Sequence, residues 1–236
     1  MDEFKFFQQI KIILFVTLFA NYSFSIGFEN LYRTIEKGDD SVVLVNKREN
    51  VYTGLSQNIV AYLESQNSAE NLSQYLIKHH RIEIEENQAK LLNFAASRYG
   101  LSEIAGDSSN SEVLQFFSET GHPEILDDET SWCSAYLNWC AKNVNLIGCD
   151  SASGLAAKSW LSVGEEVLGE PKTGDIVVFW RENKNSWQGH VSIFINEDPQ
   201  SHKVYCLGGN QDDKVNVKAY SSEQVLGFRR LNVIMH

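Results

Sequence analysis

The stretch TSWCSAYLNWC, residues 130–140, carries two cysteines seven positions apart in a segment with helical spacing. Its apolar side chains, among them Trp132, Trp139 and Cys140, recur at helical intervals and form a stripe along one side of the predicted helix. A cysteine on such a stripe behaves as a small hydrophobe. Cys140 is therefore predicted to be buried in the core, and Cys133, which falls beside the stripe, is the candidate for chemistry.

Cys133 is expected in the first turn of this helix, because Thr130 or Ser131 is suited to the N-cap position. In the first turn, unpaired backbone N–H groups and the helix dipole stabilise a thiolate and lower the pKa of the thiol. The position therefore favours Cys133 as a thiol nucleophile. An inert cysteine near a helix start is the alternative.

A thiol nucleophile needs a base, and His190 is the best candidate. It opens the run GHVSIFIN, whose alternation places His190, Ser192 and Phe194 on one face of a predicted strand. Gly189 before it leaves room for another group to approach the ring. The alternative is a histidine at a strand edge with no role. The remaining histidines lie in polar stretches, turns or the terminus: His79, His80, His122, His202 and His236.

The imidazole also needs an orienting partner on its other nitrogen. The next predicted strand runs into Asn210 and Gln211, and either side-chain amide can accept that N–H. Asn210 is the first choice for a Cys-His-Asn triad and Gln211 the alternative. An amide that only caps the turn is the third possibility for both.

Helical patterns precede strand patterns along the chain, which predicts an α+β fold with helices packed on a small antiparallel sheet. The helical patterns occupy residues 87–101, 109–121 and 126–143. The strand patterns are the runs GDIVVFW, GHVSIFIN, KVYCLGG, VNVKAY and VLGFRR.

The composition argues against nucleic acid as a partner and against a bound metal. The 236-residue chain has a net charge of −11, and its basic residues form no cluster larger than a pair such as Arg229-Arg230, so nucleic acid is not expected as a partner. The four cysteines show no C-x-x-C spacing and no His-Cys cluster has ligand spacing, so no metal is expected. No cofactor is expected, and the sequence leaves any disulfide pairing and the oligomeric state open.

The N-terminus has the pattern of a secretory signal peptide over residues 1–25. An apolar run, IKIILFVTLFA, is too short to span a membrane and is followed by small residues at Ser23 and Ser25. The expectation is a secreted or periplasmic protein with no stable membrane span after cleavage. Acidic residues near the start, Asp2 and Glu3, keep an uncleaved anchor or a buried N-terminal helix as alternatives. Residues 26–82 are predicted to form a mostly helical pre-domain of unknown role.

The chain from about residue 87 to residue 231 resembles the CHAP/NlpC-like family of bacterial and phage cell-wall cysteine hydrolases, which have a papain-like fold. Six segments carry the resemblance in order: DETSWCSAYLNWC, SGLAAKSWLSVGE, PKTGDIVVFWRE, GHVSIFI, LGGNQDDKVNVKAY and VLGFRR. The resemblance implies that residues 83–236 form a papain-like amidase or peptidase domain that cuts amide bonds of peptidoglycan stem peptides through a thioester.

Carried over to this sequence, the resemblance implies that Cys133 is the nucleophile, His190 the general base and acid, and Asn210 the orienting residue. Trp132 and Trp187, with Gln211, are the predicted substrate-binding residues, and core packing is the alternative for Trp132. Asp175 matches a motif that shapes a turn and is predicted to be structural.

Two other functions fit the same residues. One is a cysteine protease or acyltransferase with a protein substrate. The other is a catalytically silent wall-binding module of the same fold, which the joint presence of Cys133, His190 and Asn210 argues against.

Overall fold

The computed structural model describes residues 37–38, 41–42, 48–65, 70–150 and 154–235. The chain divides into two compact units, Met1–Arg48 and Glu49–His236. In the first, β1 (Lys37–Gly38) and β2 (Ser41–Val42) form an antiparallel pair. The predicted signal peptide, residues 1–25, lies outside the described residues.

Helices occupy the first half of the larger unit and strands the second. The helices are α1 (Arg48–Ser65), α2 (Leu72–His80), α3 (Glu86–Ala96), α4 (Ser111–Glu119) and α5 (Cys133–Asn143). A 3₁₀ helix at Ala157–Ser162 leads to the strands. These are β3 (Glu165–Glu166), β4 (Ile176–Trp180), β5 (Gly189–Asp198), β6 (Lys203–Gly208), β7 (Asn216–Ser221) and, after a 3₁₀ turn at Ser222–Gln224, β8 (Val225–Arg230).

The strands β3 to β8 form one antiparallel sheet in the order β3-β8-β4-β5-β6-β7. In its centre, β4 pairs with β5 so that Phe179 lies opposite His190. Pairing of β5 with β6 begins only at Ile193, opposite Leu207. Helices followed by an antiparallel sheet confirm the predicted α+β class.

The two faces of β5 serve different clusters, as its alternation predicts. Val191, Ile193 and Ile195 join the main core, which also contains the buried residues of α5. Phe194 joins a smaller cluster on the other side with Phe179 and the neighbouring apolar side chains of β4 and β6. Buried apolar residues on both faces fix the register, because a one-residue slip would exchange the faces.

Helices α1 and α2 fall in the segment predicted to be mostly helical, and α2 is joined to α3 by hydrogen bonds. The Ser73 N–H donates to Asn93 Oδ1 at 2.8 Å, and Asn93 Nδ2 donates to Ser73 Oγ at 2.9 Å. Leu72 and Leu76 of α2 belong to the main core. The domain boundary at residue 82 stays a prediction.

The start of α5 differs from its predicted cap. The N-cap is Trp132, without a side-chain cap hydrogen bond, so Cys133 is the first helical residue. The Thr130 side chain is engaged elsewhere, because its backbone N–H and hydroxyl both donate to Asp127 Oδ1 in a local turn. The prediction that Thr130 or Ser131 caps the helix is therefore wrong, whereas Cys133 does lie in the first turn.

Asp175 ties the N-terminal end of β4 to three other parts of the chain. Its carboxylate is fully buried and accepts two hydrogen bonds from Arg230, at 2.8 and 2.9 Å. It also accepts from Gln88 Nε2 at 3.2 Å and from the Lys172 N–H at 2.8 Å. A buried carboxylate with four donors holds the sheet against α3.

Replacing Asp175 with Asn should lower the free energy of unfolding by about 3 kcal/mol, because it leaves Arg230 without its buried partner. Glu85→Gln is the matched control, since that half-exposed carboxylate also contacts Arg230 and should cost less than about 1 kcal/mol. Urea denaturation of the two variants checks this. Equal losses in both would contradict a structural role for the buried pair.

Candidate active site

Cys133 lies at the first position of α5 and is buried, with 4% of its surface exposed. Burial has the largest effect on the thiol and raises its pKa. The backbone N–H of Val191 and the Arg181 guanidinium act in the opposite direction and lower the pKa. The sulfur therefore lies near the residue that follows His190 on β5.

His190 is fully buried, and its ring is flanked by two aromatic rings. Tyr220 of β7 stacks on it with ring centroids 5.0 Å apart, and Phe179 of β4 lies at 6.3 Å. The plane of the imidazole is therefore set by neighbouring strands, and only its edges remain for hydrogen bonding.

The Nε2 edge of His190 faces a polar pair inside the protein. Ser192 Oγ lies 2.8 Å from Nε2, and Gln211 Oε1 lies 3.1 Å from it. Ser192 Oγ in turn donates to Gln211 Oε1 at 2.9 Å. His190 and Ser192 are two positions apart on one strand, so their side chains share a face.

The orientation of the Gln211 carboxamide is fixed from its other end. Gln211 Nε2 donates to the Asn216 carbonyl at 2.6 Å and to Asn216 Oδ1 at 3.0 Å. Asn216 Nδ2 donates back to the Gln211 carbonyl at 2.9 Å. Since the NH₂ group is committed to these acceptors, the oxygen of the carboxamide is the atom that faces His190.

This orientation assigns the tautomer of His190. An amide oxygen can only accept, so Nε2 carries the proton and Nδ1 has the free lone pair. Arg181 Nη2 lies 3.4 Å from Nδ1, and a guanidinium can only donate, which agrees with the assignment. Nδ1 is therefore the basic atom of the ring.

The Cys133 thiol and the His190 imidazole are both electrically neutral at pH 7. Burial and then the Arg181 charge lower the pKa of His190 to about 3, with Lys218 in the same direction, although the Gln211 hydrogen bond opposes them. Because the thiol pKa is raised at the same time, the resting site holds a thiol and an imidazole rather than a thiolate and an imidazolium.

Asn210, the first choice for the orienting residue, does not contact His190 through its side chain. It adopts a left-handed conformation with φ of 55°, and its Nδ2 donates to Glu103 Oε1 at 2.7 Å. The structure brings the alternative, Gln211, to the imidazole instead. Adjacent residues of a turn point in different directions, and the left-handed residue turns toward Glu103.

Glu103 links the two segments that supply the site. Besides Asn210, it accepts a hydrogen bond from Trp132 Nε1 at 2.6 Å. One carboxylate thus holds the residue before Cys133 and the residue before Gln211. Burial raises the pKa of Glu103, although both hydrogen bonds act to lower it.

The predicted substrate-binding residues lie in three different environments. Trp132 is fully buried against Phe116 and Tyr136, so it offers no face to a substrate and the core alternative is correct. Gln211 is also buried and belongs to the imidazole network. Trp187 is 82% exposed, on the loop between β4 and β5.

Gly208, the last residue of β6, and Gly209, which follows it, allow the close approach of the turn after the strand. A Cβ at Gly208 would collide with Ser192 Oγ, and one at Gly209 would collide with the Trp132 ring. Larger residues would therefore push Gln211 away from His190 or separate the turn from α5.

A cleft of about 580 Å³ opens beside the imidazole. His190 lines it together with Arg181 and Lys218, and Trp180 and Tyr220 supply aromatic walls. Trp180, the last residue of β4, is partly exposed here, and its Nε1 donates to the Glu223 carbonyl at 3.1 Å.

Three residues of this site, Arg181, Ser192 and Glu103, had no role assigned from the sequence. Strand alternation did place Ser192 on the His190 face, but no pattern showed that it bonds the ring. Arg181 directly follows β4, whose pairing with β5 sets its position, and that register is not readable from sequence. Glu103 is separated from Asn210 by 107 positions, and no local pattern marks such a contact.

Comparison with known proteins finds one family match, over the part of the chain that holds Cys133 and His190. Residues 126–210 match the family model of the CHAP domain. The resemblance stated from the sequence is thereby confirmed, and the CHAP match contains Cys133, His190 and Asn210. CHAP domains are typically hydrolases of the amidase or peptidase type that act on cell walls. No curated protein and no solved structure gives a significant match to the chain.

The CHAP match ends one residue before Gln211, so the orienting amide lies just outside it. All four cysteines are free thiols. In the part of the chain that the structure describes, no cluster of His, Cys, Asp or Glu side chains has the grouping of metal ligands. None of the described helices combines the length and apolar character needed to cross a bilayer.

The buried neutral imidazole should make stability depend on pH. Unfolded His190 binds a proton near pH 6.5, whereas the folded residue does so only near pH 3, so stability falls as pH drops through this window. Between pH 7 and pH 5 the wild-type protein should lose about 2 kcal/mol more unfolding free energy than His190→Gln. Urea denaturation at both pH values checks this, and an equal loss in both proteins would contradict the neutral assignment.

Proposed function

We propose that the protein is a cysteine amidase or endopeptidase that cleaves amide bonds of peptidoglycan stem peptides through a thioester intermediate. The single observation that carries the proposal is the set of hydrogen bonds that turns the Gln211 carboxamide oxygen toward His190 Nε2 and so assigns the ring proton to that atom. It leaves Nδ1 as a base on the strand that lies near the Cys133 thiol. The CHAP match around both residues supports a hydrolase of cell-wall amides.

In the first half of the proposed reaction, His190 Nδ1 takes the thiol proton as the Cys133 sulfur attacks the carbonyl carbon. A carbon–sulfur bond forms, and the carbonyl π electrons move to oxygen. The Cys133 backbone N–H at the start of α5 is suited to stabilise that oxyanion, since helix N-termini favour negative charge. Collapse breaks the carbon–nitrogen bond, and Nδ1–H protonates the leaving amine.

In the second half, Nδ1 takes a proton from water as the water oxygen attacks the thioester carbonyl. The carbon–sulfur bond breaks, the acid product leaves, and the sulfur recovers its proton from the imidazolium. Throughout, Ser192 and Gln211 hold the Nε2–H, which stabilises the imidazolium and keeps the ring in place. The residues thus cycle between the neutral pair and an intermediate that carries charge on His190.

The cleft beside His190 is the proposed binding site for the peptide. Trp187, exposed on the loop between β4 and β5, is a proposed contact for apolar or sugar groups of the substrate. Lys158 anchors this loop, because its Nζ donates to the Lys184 carbonyl at 2.9 Å and also to the Ser186 carbonyl. The Lys158 ammonium therefore fixes the loop at two backbone carbonyls, those of Lys184 and Ser186, directly before Trp187.

A secreted or periplasmic location is part of the proposal and rests on the signal-like pattern of residues 1–25. It would bring the enzyme to its polymer substrate.

Digestion of purified peptidoglycan by residues 26–236, with products identified by mass spectrometry, tests the function. The wild-type protein should release new peptide or amine ends, and Cys133→Ala should release none. Cys140→Ala is the matched control, because it removes a buried thiol two turns further along α5 and should retain activity.

The products name the bond that is cut. Absence of fragments across several wall chemistries would contradict the wall substrate. If an activated acyl ester still labelled Cys133 in that case, the result would favour a cysteine protease with a protein substrate, or an acyltransferase.

A further inference from the structure

Arg181 occupies an unusual place for a cation, directly beside the basic atom of the site. It follows β4, its guanidinium lies 3.4 Å from His190 Nδ1, and it lines the cleft. It also lies close enough to the Cys133 thiol to lower its pKa. A single side chain thus touches the base and influences the nucleophile.

The Arg181 charge has no carboxylate partner among the residues that the structure describes. The other cation of the cleft, Lys218, is paired with Asp212 at 2.5 Å. Arg230 is paired with the buried Asp175. A half-buried guanidinium without an anion is favourably placed to receive one from outside.

The position of Arg181 opposes the proposed chemistry in the resting protein. Its N–H points to the lone pair that must accept the thiol proton, and its charge repels the imidazolium that follows. An anion bound to Arg181 would cancel that repulsion and compete for the N–H groups. The site is therefore built to work better with an anion in the cleft than without one.

We propose that Arg181 binds a free carboxylate of the substrate next to the scissile amide, and that this pairing releases His190 Nδ1 for catalysis. The inference deepens the proposed function and rests on it, since it names the substrate as a peptide with an acidic group beside the bond that is cut. Stem peptides carry such free carboxylates.

A carboxylate fits this cleft better than a doubly charged anion does. The guanidinium fork matches the two oxygens of a carboxylate. Asp212 and Asp213 line the same cleft, and their charges disfavour a phosphate more strongly than a single negative charge. Arg181 is thus a specificity-determining residue that favours substrates with a single carboxylate next to the scissile amide, on either the acyl or the amine side.

Alkylation of Cys133 tests the inference without requiring hydrolysis. Iodoacetate carries a carboxylate and iodoacetamide is its neutral counterpart, and mass spectrometry of the Cys133 peptide follows each rate. Relative to the same rate ratio for free cysteine, the wild-type protein should prefer iodoacetate about 10-fold, which one well-placed charge pair can supply. The preference should vanish in Arg181→Gln and survive in part in Arg181→Lys.

Lys184→Gln is the matched control, because it removes one positive charge from the same loop and should keep the preference. Structural damage would slow both reagents and leave their ratio unchanged. No preference in the wild-type protein, a preference that survives in Arg181→Gln, or a Cys133 that reacts with neither reagent would overturn the inference. If the wild-type protein preferred iodoacetate but digested no peptidoglycan, the proposal of a cell-wall substrate would fail. The proposal that Arg181 binds a carboxylate would stand.

Discussion

The hydrogen bonds between Gln211 and Asn216 are the constraint on which the site depends. They commit the NH₂ group of the carboxamide and leave only its oxygen for His190. That oxygen places the proton on Nε2 and makes Nδ1 the base. A rotated carboxamide would present donors to the ring, and the imidazole would then lose the tautomer that can accept a proton on Nδ1.

The scaffold serves this contact through burial and close packing. Gly208 and Gly209, at the end of β6, let the turn lie against Ser192 and Trp132, and stacking by Tyr220 fixes the plane of the His190 ring. The same burial removes water from the imidazole, so the charged form becomes costly. The Cys133 thiol and the His190 imidazole are therefore both neutral in the resting protein. In the proposed reaction the imidazolium forms only when the substrate is present.

Much of the fold was predictable because local patterns match the final packing. Strand alternation predicted the two faces of β5, and helical spacing predicted Cys140 in the core. Cys133 does lie at the helix start, although the capping residue from which this was predicted is wrong. The orienting amide was not predictable in the same way. Asn210 and Gln211 are adjacent and chemically alike, and only the left-handed backbone at Asn210 decides which one reaches the imidazole.

Trp132 shows the same limit for side-chain exposure. An aromatic residue beside a nucleophile suits a groove or a core equally well, and packing against Phe116 and Tyr136 places Trp132 in the core. Arg181 depends on the register between β4 and β5, which is set by the whole sheet. Residues whose roles come from long-range contacts therefore escape a reading of local pattern.

Nitrogen-15 NMR of the His190 ring at pH 7 tests the central claim most directly. The Nε2–H tautomer should give a protonated Nε2 and an unprotonated Nδ1, with no change between pH 7 and pH 5, because the pKa lies near 3. A proton on Nδ1 would contradict the assigned network. A ring protonated on both nitrogens at pH 7 would show a thiolate–imidazolium pair and contradict the neutral resting site.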